Sequence, residues 1–159
     1  MNESISNKAE YIFVQRLQEV CKHLSSFYSN AAAHASTYML RTHMQAFNSV
    51  MREAVESLLP FQSNRLKLSE QNNDALCKVE SAYKEQQSQL SQLPTTAWVM
   101  DSNKRLREFL ALLRKLTQAQ EDKLLRYVLS DITAQLQLKH DQLLEKLNRQ
   151  QDRFPASVN

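Results

Sequence analysis

Apolar residues recur along this chain at steps of three and four, with polar residues between them, over most of its length. This spacing is typical of amphipathic helices that bury one face against other helices. The longest run spans residues 102–150 and contains neither proline nor glycine. We predict one helix over this run, and such a helix would be roughly 70 Å long. It either projects as a rod or folds back on itself.

The predicted long helix carries two apolar stripes in succession. The first stripe consists of Leu106, Phe109, Leu113 and Leu116. The second stripe consists of Leu125, Leu129, Ile132, Leu136, Leu143 and Leu147. A narrow stripe of this kind is typical of a coiled-coil seam. We therefore expect both stripes to contact other helices.

Two helices are predicted before Pro60. The first covers about residues 8–28 and carries a broad apolar stripe. Ser29 and Asn30 mark the expected break, since Asn30 can cap the following helix. The second helix covers about residues 31–59, with Phe47 central in its stripe, and Pro60 ends it. The short connection predicts an antiparallel helical hairpin.

A third helix is predicted over about residues 65–93, before Pro94. Its stripe follows a heptad and consists of Leu76, Val79, Tyr83, Gln86, Leu90 and Leu93. Because the stripe is narrow, it indicates a coiled-coil seam rather than one face of a bundle. Trp98 follows in an apolar joint, where it either plugs the joint between helices or contacts a partner protein.

The expected fold class is therefore all-α, with an N-terminal helical hairpin followed by elongated coiled-coil helices. We divide the chain into a hairpin head over residues 8–60, a coiled-coil helix with a proline-containing joint over 61–100, and the long helix over 101–152. These stripes lack enough self-contained core, so we expect other chains to complete the packing. The predicted partner interface consists of Phe47, Leu76, Val79, Tyr83, Leu90, Leu93, Leu125, Leu129, Ile132 and Leu136.

The absence of glycine excludes several classes of functional site. A soluble protein of this length would contain about eleven glycines, and this chain has none. Phosphate-cradling loops and dinucleotide folds depend on glycine. The four histidines lie apart, without a second ligand one helical turn away on a shared face. We predict a protein that is not an enzyme and has no cofactor and no metal.

Charge and cysteine content narrow the possible ligands of the protein and its cellular compartment. The formal net charge of +3 is too small to imply nucleic acid. A basic cluster at Lys104, Arg105 and Arg107 lies near aromatic residues, which leaves single-stranded nucleic acid as an alternative ligand. Cys21 and Cys77 have no metal-ligand spacing and are interpreted as small buried apolar residues in a reducing compartment. No signal region or membrane span is expected, so we predict a cytosolic or nuclear protein.

Three stretches in order resemble a subunit of the kinetochore MIND complex, also called the Mis-twelve complex, and the Nsl-type subunit most of all. The stretch FVQRLQEVCKHL (residues 13–24) is similar to its first helix and LRTHMQAFNSVMREAVE (40–56) to its second. The stretch LCKVESAYKEQQSQLSQLP (76–94) resembles the start of its stalk. Vertebrate members have a long C-terminal tail, so a short, divergent, insect-like member is the expected type.

The resemblance implies a rod-shaped hetero-oligomer at the centromere and kinetochore in the nucleus, acting in chromosome segregation during mitosis. Its implied partners are the Mis-twelve and Nnf-type subunits, the microtubule-binding Ndc-eighty complex and the Knl-type scaffold, with no direct contact to nucleic acid or membrane. Two alternatives stay open. One is a coiled-coil subunit of another hetero-oligomer, such as a spindle augmin or a vesicle-tethering complex. The other is a bacterial helical adaptor or secretion chaperone.

Overall fold

The computed structural model describes residues 11–153, and side chains as far as residue 150. Five α-helices follow one another in this part of the chain: α1 (Phe13–His34), α2 (Tyr38–Leu58), α3 (Glu70–Gln89), α4 (Thr95–Gln118) and α5 (Lys123–Arg153). A short 3-10 helix, Leu59–Phe61, follows α2. The predicted all-α class is confirmed. Residues 8–10, where the first helix was expected to begin, lie outside the described residues.

Local side chains explain where most helices begin. The Thr37 hydroxyl accepts a hydrogen bond from the backbone N–H of Leu40 at the start of α2. The Ser69 hydroxyl does the same for Asn72 at the start of α3, and Pro94 precedes α4. Ser and Thr are favoured at this position because they satisfy backbone donors that have no partner within the helix.

The expected break at Ser29 and Asn30 is wrong. Helix α1 continues through both residues and ends at His34. Alanine is the strongest helix former, and three alanines follow Asn30, so the helix propagates past a residue that could have capped a new one. The chain turns instead at residues 35–37, where the Thr37 side chain provides the cap.

A single unbroken helix over residues 102–150 is wrong, and of the two expected arrangements the chain adopts the second: it folds back on itself between α4 and α5. The Asp122 carboxylate accepts hydrogen bonds from the backbone N–H groups of Leu124 and Leu125, at 3.0 and 3.2 Å, and so caps α5. The Arg126 guanidinium donates to the Gln120 carbonyl across the turn. The two apolar stripes therefore lie on separate helices that pack against each other.

The five helices form a closed ring. Helix α1 packs against α2 and α3, α4 packs against α3 and α5, and α5 packs back against α2. Gln18 contacts Val55 whereas Ser25 contacts Asn48, so α1 and α2 run antiparallel. A backbone pair at 2.9 Å, from Phe13 N–H to the Leu66 carbonyl, ties the start of α1 to the segment before α3.

A single apolar core fills the ring, and all five helices contribute to it. Its largest fully buried side chains include Trp98, Tyr28, Tyr83, Phe27, Phe47 and Phe109. The three segments that we distinguished by sequence thus share one core. The expectation that other chains must complete the packing does not hold for these stripes, because the fold-back between α4 and α5 supplies the missing helix from within the chain.

Candidate functional site

The predicted partner-interface residues lie inside the chain's own core. Nine of the ten are buried, and Leu93 is the exception, with 37% of its surface exposed. The buried ones are Phe47, Leu76, Val79, Tyr83, Leu90, Leu125, Leu129, Ile132 and Leu136. Because neighbouring helices of the same chain cover these side chains, they are not accessible to a partner in this fold.

An aromatic cluster explains why the α3 stripe needs no second chain. The Tyr83 ring lies edge-on to Phe27 and Tyr28 of α1, with centroids 5.0 and 5.7 Å apart. The Tyr28 and Tyr83 hydroxyls form a hydrogen bond at 2.8 Å. Burial raises the pKa of both phenols above the usual value. The pair stays neutral at physiological pH and joins α1 to α3.

A buried arginine forms a polar network in the same interface. The Arg16 guanidinium donates to both carboxylate oxygens of Glu80, at 2.9 and 3.2 Å, and its Nε donates to the Asn73 amide oxygen at 3.1 Å. Burial would raise the pKa of Glu80, but the hydrogen bonds from Arg16 and His23 outweigh it and lower that pKa. Every charged group here has a partner, and the network joins α1 to α3.

Both cysteines are free thiols. Burial raises the pKa of the Cys21 thiol to about 12, which disfavours a reactive thiolate. Cys77 is half-buried and accepts a hydrogen bond from Arg16. No group of three His, Cys, Asp or Glu side chains in the described part of the chain could hold a metal ion.

His140 is the one histidine that is fully buried among the described residues. Only 2% of its surface is exposed, and neither ring nitrogen has a hydrogen-bond partner. Burial lowers its pKa, and the nearby Arg107 lowers it further, while Asp141 raises it slightly. The neutral imidazole is therefore the form that the folded bundle accommodates.

We expect the bundle to lose stability as the pH falls below about 6.5, the ordinary pKa of histidine in an unfolded chain. In that range the unfolded chain binds a proton at His140 that the folded chain excludes. The free energy of unfolding therefore decreases as the pH falls. Urea denaturation at several pH values checks this. His140→Leu should flatten the slope; a slope equal to that of the unmutated chain would show that His140 does not cause it. His43, whose pKa burial also lowers, supplies the residual slope.

Helix α5 carries a second apolar face that the sequence analysis missed. Leu124 and Tyr127 are 72% and 73% exposed, and Leu138 is 49% exposed on the same side. Leu124, Tyr127, Ala134 and Leu138, which we call the outer α5 stripe, occupy coiled-coil heptad positions. They lie opposite the side that packs into the core. Such a row of exposed apolar side chains is typical of a surface that another helix covers.

Acidic residues occupy the remaining heptad positions of this face. Asp131 lies between Tyr127 and Ala134, and makes no hydrogen bond or ion pair with any described residue. Asp141 and Glu145 continue the same face toward the end of α5. The face of α5 that carries the outer α5 stripe thus combines exposed apolar side chains with acidic ones.

A cleft of about 570 Å³ opens at one end of the bundle, where α2 and α4 begin and α5 ends. We call it the end cleft. Leu40, Val99, Met100, Leu144 and Leu147 form its apolar lining. Asn103 and Arg107, one turn apart on α4, supply polar groups. Its residues are far apart in sequence, so no local motif could have indicated it.

The basic cluster does not have the aromatic platform that a single-stranded nucleic acid would need. Trp98 and Phe109 are both buried, and Trp98 lies in the first turn of α4 rather than in the predicted joint. Stacking on bases requires exposed rings. Arg105 is also partly neutralised by Glu108, at 3.4 Å. Because these rings are buried, the aromatic residues near the basic cluster no longer favour the binding of single-stranded nucleic acid.

Comparison of the chain with protein-family models, with curated proteins and with solved structures finds no match. No helix between residues 11 and 153 combines the length and the apolar composition needed to cross a membrane.

Proposed function

We propose that this chain is a non-catalytic subunit of a hetero-oligomeric protein assembly, and that it binds a helix of another protein through α5. The outer α5 stripe carries this proposal. Its apolar side chains are exposed although the helix already packs into the core on its opposite side. The acidic heptad residues Asp131 and Asp141 favour an amphipathic partner helix with Lys or Arg at the facing positions, whereas Glu145 already pairs with Arg149.

The resemblance described above supplies the specific form of the proposal, a structural subunit of the kinetochore MIND complex. In that form, α5 contributes to coiled-coil assembly with Mis-twelve and Nnf-type chains, which helps link centromeric chromatin to the outer kinetochore. The order and spacing of the three resembling stretches support it.

One observation favours a second candidate, a bacterial helical adaptor or secretion chaperone. The chain buries most of its stripes in its own core. A subunit of an elongated rod offers such stripes to other chains, whereas an adaptor folds alone and presents a limited docking surface. In this second candidate too, the outer α5 stripe is the partner-binding surface.

Affinity purification of the tagged chain from its own source tests the proposal. The variant Tyr127→Asp with Leu138→Asp should reduce recovery of partner chains at least tenfold, because a hydrophobic anchor of an interface typically contributes more than about 1.4 kcal/mol. The matched control is Gln45→Asp with Ser49→Asp, two exposed positions on α2.

Mass spectrometry of the recovered chains then separates the forms of the proposal. Mis-twelve and Nnf-type chains would support the MIND form, and a different stable set would remove it while keeping the assembly subunit. Loss of partners in the α2 control but not in the α5 variant would contradict the assignment to α5. A chain that is a partner-free monomer would overturn the proposal as a whole.

A further inference from the structure

The connection between α4 and α5 differs from the other connections between consecutive helices. Residues 119–122, which we call the hinge, contain neither proline nor glycine, and Ala119 still has helical backbone angles, with φ −80° and ψ −9°. The turn between α1 and α2 contains the extended residue Ala35, and Pro60 and Pro94 stand in the connections before α3 and α4. The hinge therefore lacks both of the residues that most strongly enforce a turn.

Among the described side chains, Arg126 alone forms a hydrogen bond across the hinge. Its guanidinium donates to the Gln120 carbonyl, from Nε at 2.9 Å. The Asp122 carboxylate caps α5 from the adjacent position, so its hydrogen bonds do not depend on the fold-back. Gln120 is only 7% exposed, and its side-chain oxygen has no hydrogen-bond partner. Because a buried acceptor without a donor costs free energy, the closed hinge is held weakly.

Helix α5 joins the bundle through apolar contacts that do not depend on which chain supplies them. It packs against α2 and α4, and the buried residues on its core side include Leu125, Leu129, Ile132, Leu136 and Leu143. Within the described part of the chain, one side-chain hydrogen bond joins α5 to another helix, from Arg114 to Gln137. Helix α1, by contrast, is tied to α3 by the Arg16 network. Apolar burial is non-directional, so the groove between α2 and α4 of a second copy would accept α5 equally well.

We propose that α5 exchanges between two copies of this chain, which gives a domain-swapped dimer in equilibrium with the folded-back monomer. In the dimer the hinge is open, and α5 of each copy lies between α2 and α4 of the other. The core contacts of α5 are retained because the two grooves are identical, and only the Arg126 contact across the hinge is lost. Exchange of an identical element is a low-cost route to dimers. This inference goes beyond the proposed function and is independent of it, because the outer α5 stripe faces away from the groove in both forms.

Cross-linking between two variants tests the exchange. Arg114→Cys and Gln137→Cys, each made in a chain that also carries Cys77→Ser, are refolded together and treated with a short bis-maleimide. Since Arg114 contacts Gln137, the two variants become linked only when α5 of one chain lies on α4 of the other. The expected product is a covalent dimer that contains one chain of each variant, identified by a tag on one of them.

The matched control for cross-linking lies between helices that do not exchange. Ser25 contacts Asn48 between α1 and α2. Ser25→Cys and Asn48→Cys, refolded together in the same way, should therefore give no mixed dimer above the level of random collision. The same two substitutions in one chain should become linked within that chain.

Two changes at the hinge should shift the equilibrium in opposite directions, as measured by sedimentation equilibrium. Arg126→Ala removes the contact across the hinge and should raise the association constant of the dimer at least about tenfold, because a hydrogen bond to a charged group is among the stronger ones. Arg149→Ala, which removes an exposed ion pair on the same helix, is the control and should leave that constant unchanged. A short Gly–Ser insertion after Gln120 should lower it, because a longer hinge disfavours swapping.

The inference would be overturned by a mixed product no greater than that of the α1–α2 control, or by equal association constants for Arg126→Ala and Arg149→Ala. A dimer that forms without mixed cross-links would also overturn it and would indicate pairing through the outer α5 stripe. Tyr127→Asp with Leu138→Asp would abolish such a dimer but should leave the exchanged dimer intact. The proposed function is tested separately, by recovery of other chains.

Discussion

Phe47→Asp should leave the chain largely unfolded at room temperature. The Phe47 ring is buried in the middle of α2 and lies 5.0 Å from the ring of Tyr28. Loss of a buried phenylalanine alone costs about 3–5 kcal/mol, and an unpaired buried carboxylate costs several more. A domain has a total stability of only about 5–15 kcal/mol. Circular dichroism during urea denaturation measures the loss.

Tyr38→Asp, on the same helix, is the control for that variant. Its side chain is exposed, so the substitution should change the free energy of unfolding by less than about 0.5 kcal/mol. Because one core joins all five helices, we also expect the unmutated chain to unfold in a single transition. If Phe47→Asp kept the denaturation midpoint of the unmutated chain, the position of α2 in the core would be wrong.

Glu80→Ala should destabilise the bundle by about 1–3 kcal/mol, the usual cost of removing one partner of a buried hydrogen-bonded group, since Arg16 still has Glu19 as an ionic partner. The Arg16 guanidinium would keep its hydrogen bond to Asn73 and its ion pair with Glu19, at 3.2 Å, but lose both contacts with the Glu80 carboxylate. Both side chains of this pair are largely shielded from solvent. The measurement is the free energy of unfolding in urea near neutral pH.

The double variant Arg16→Met with Glu80→Leu should be more stable than Glu80→Ala, because it removes both charges and replaces them with apolar groups. A control pair lies on the surface of α5, where Arg149 contacts Glu145 with both side chains exposed. Glu145→Ala should cost no more than about 0.5 kcal/mol. Equal costs for the buried and the exposed pair would show that the Arg16 network does not contribute to stability.

Helix positions were largely predictable, because their signals are local. The apolar periodicity predicted most of α2 and of α3, although α3 spans Glu70–Gln89 and so ends before the residues next to Pro94. The fold-back at residues 119–122 was harder to predict, since neither proline nor glycine marks it. Its traces were Asp122, a favoured capping residue, and the nine-residue step from Leu116 to Leu125, which interrupts the three-and-four spacing of a continuous stripe.

The candidate surfaces were less predictable than the helices. The nine buried residues of the predicted interface do pack against helices, but those helices belong to the same chain. The outer α5 stripe escaped notice because α5 has a stronger apolar face, which dominates its periodicity. Arg16 likewise lies on an apolar stripe of α1, and its partner Glu80 is sixty-four positions away.

The sequence by itself therefore determined that the chain is helical, roughly where the helices lie and which side of each becomes buried. These properties depend on residues within a few turns of one another, whose spacing is visible in the chain. Only the tertiary structure decided what covers each buried side, which apolar residues stay exposed and how the end cleft assembles. Those outcomes depend on packing among helices distant in sequence, and an apolar stripe packs equally well against a helix of its own chain or of another.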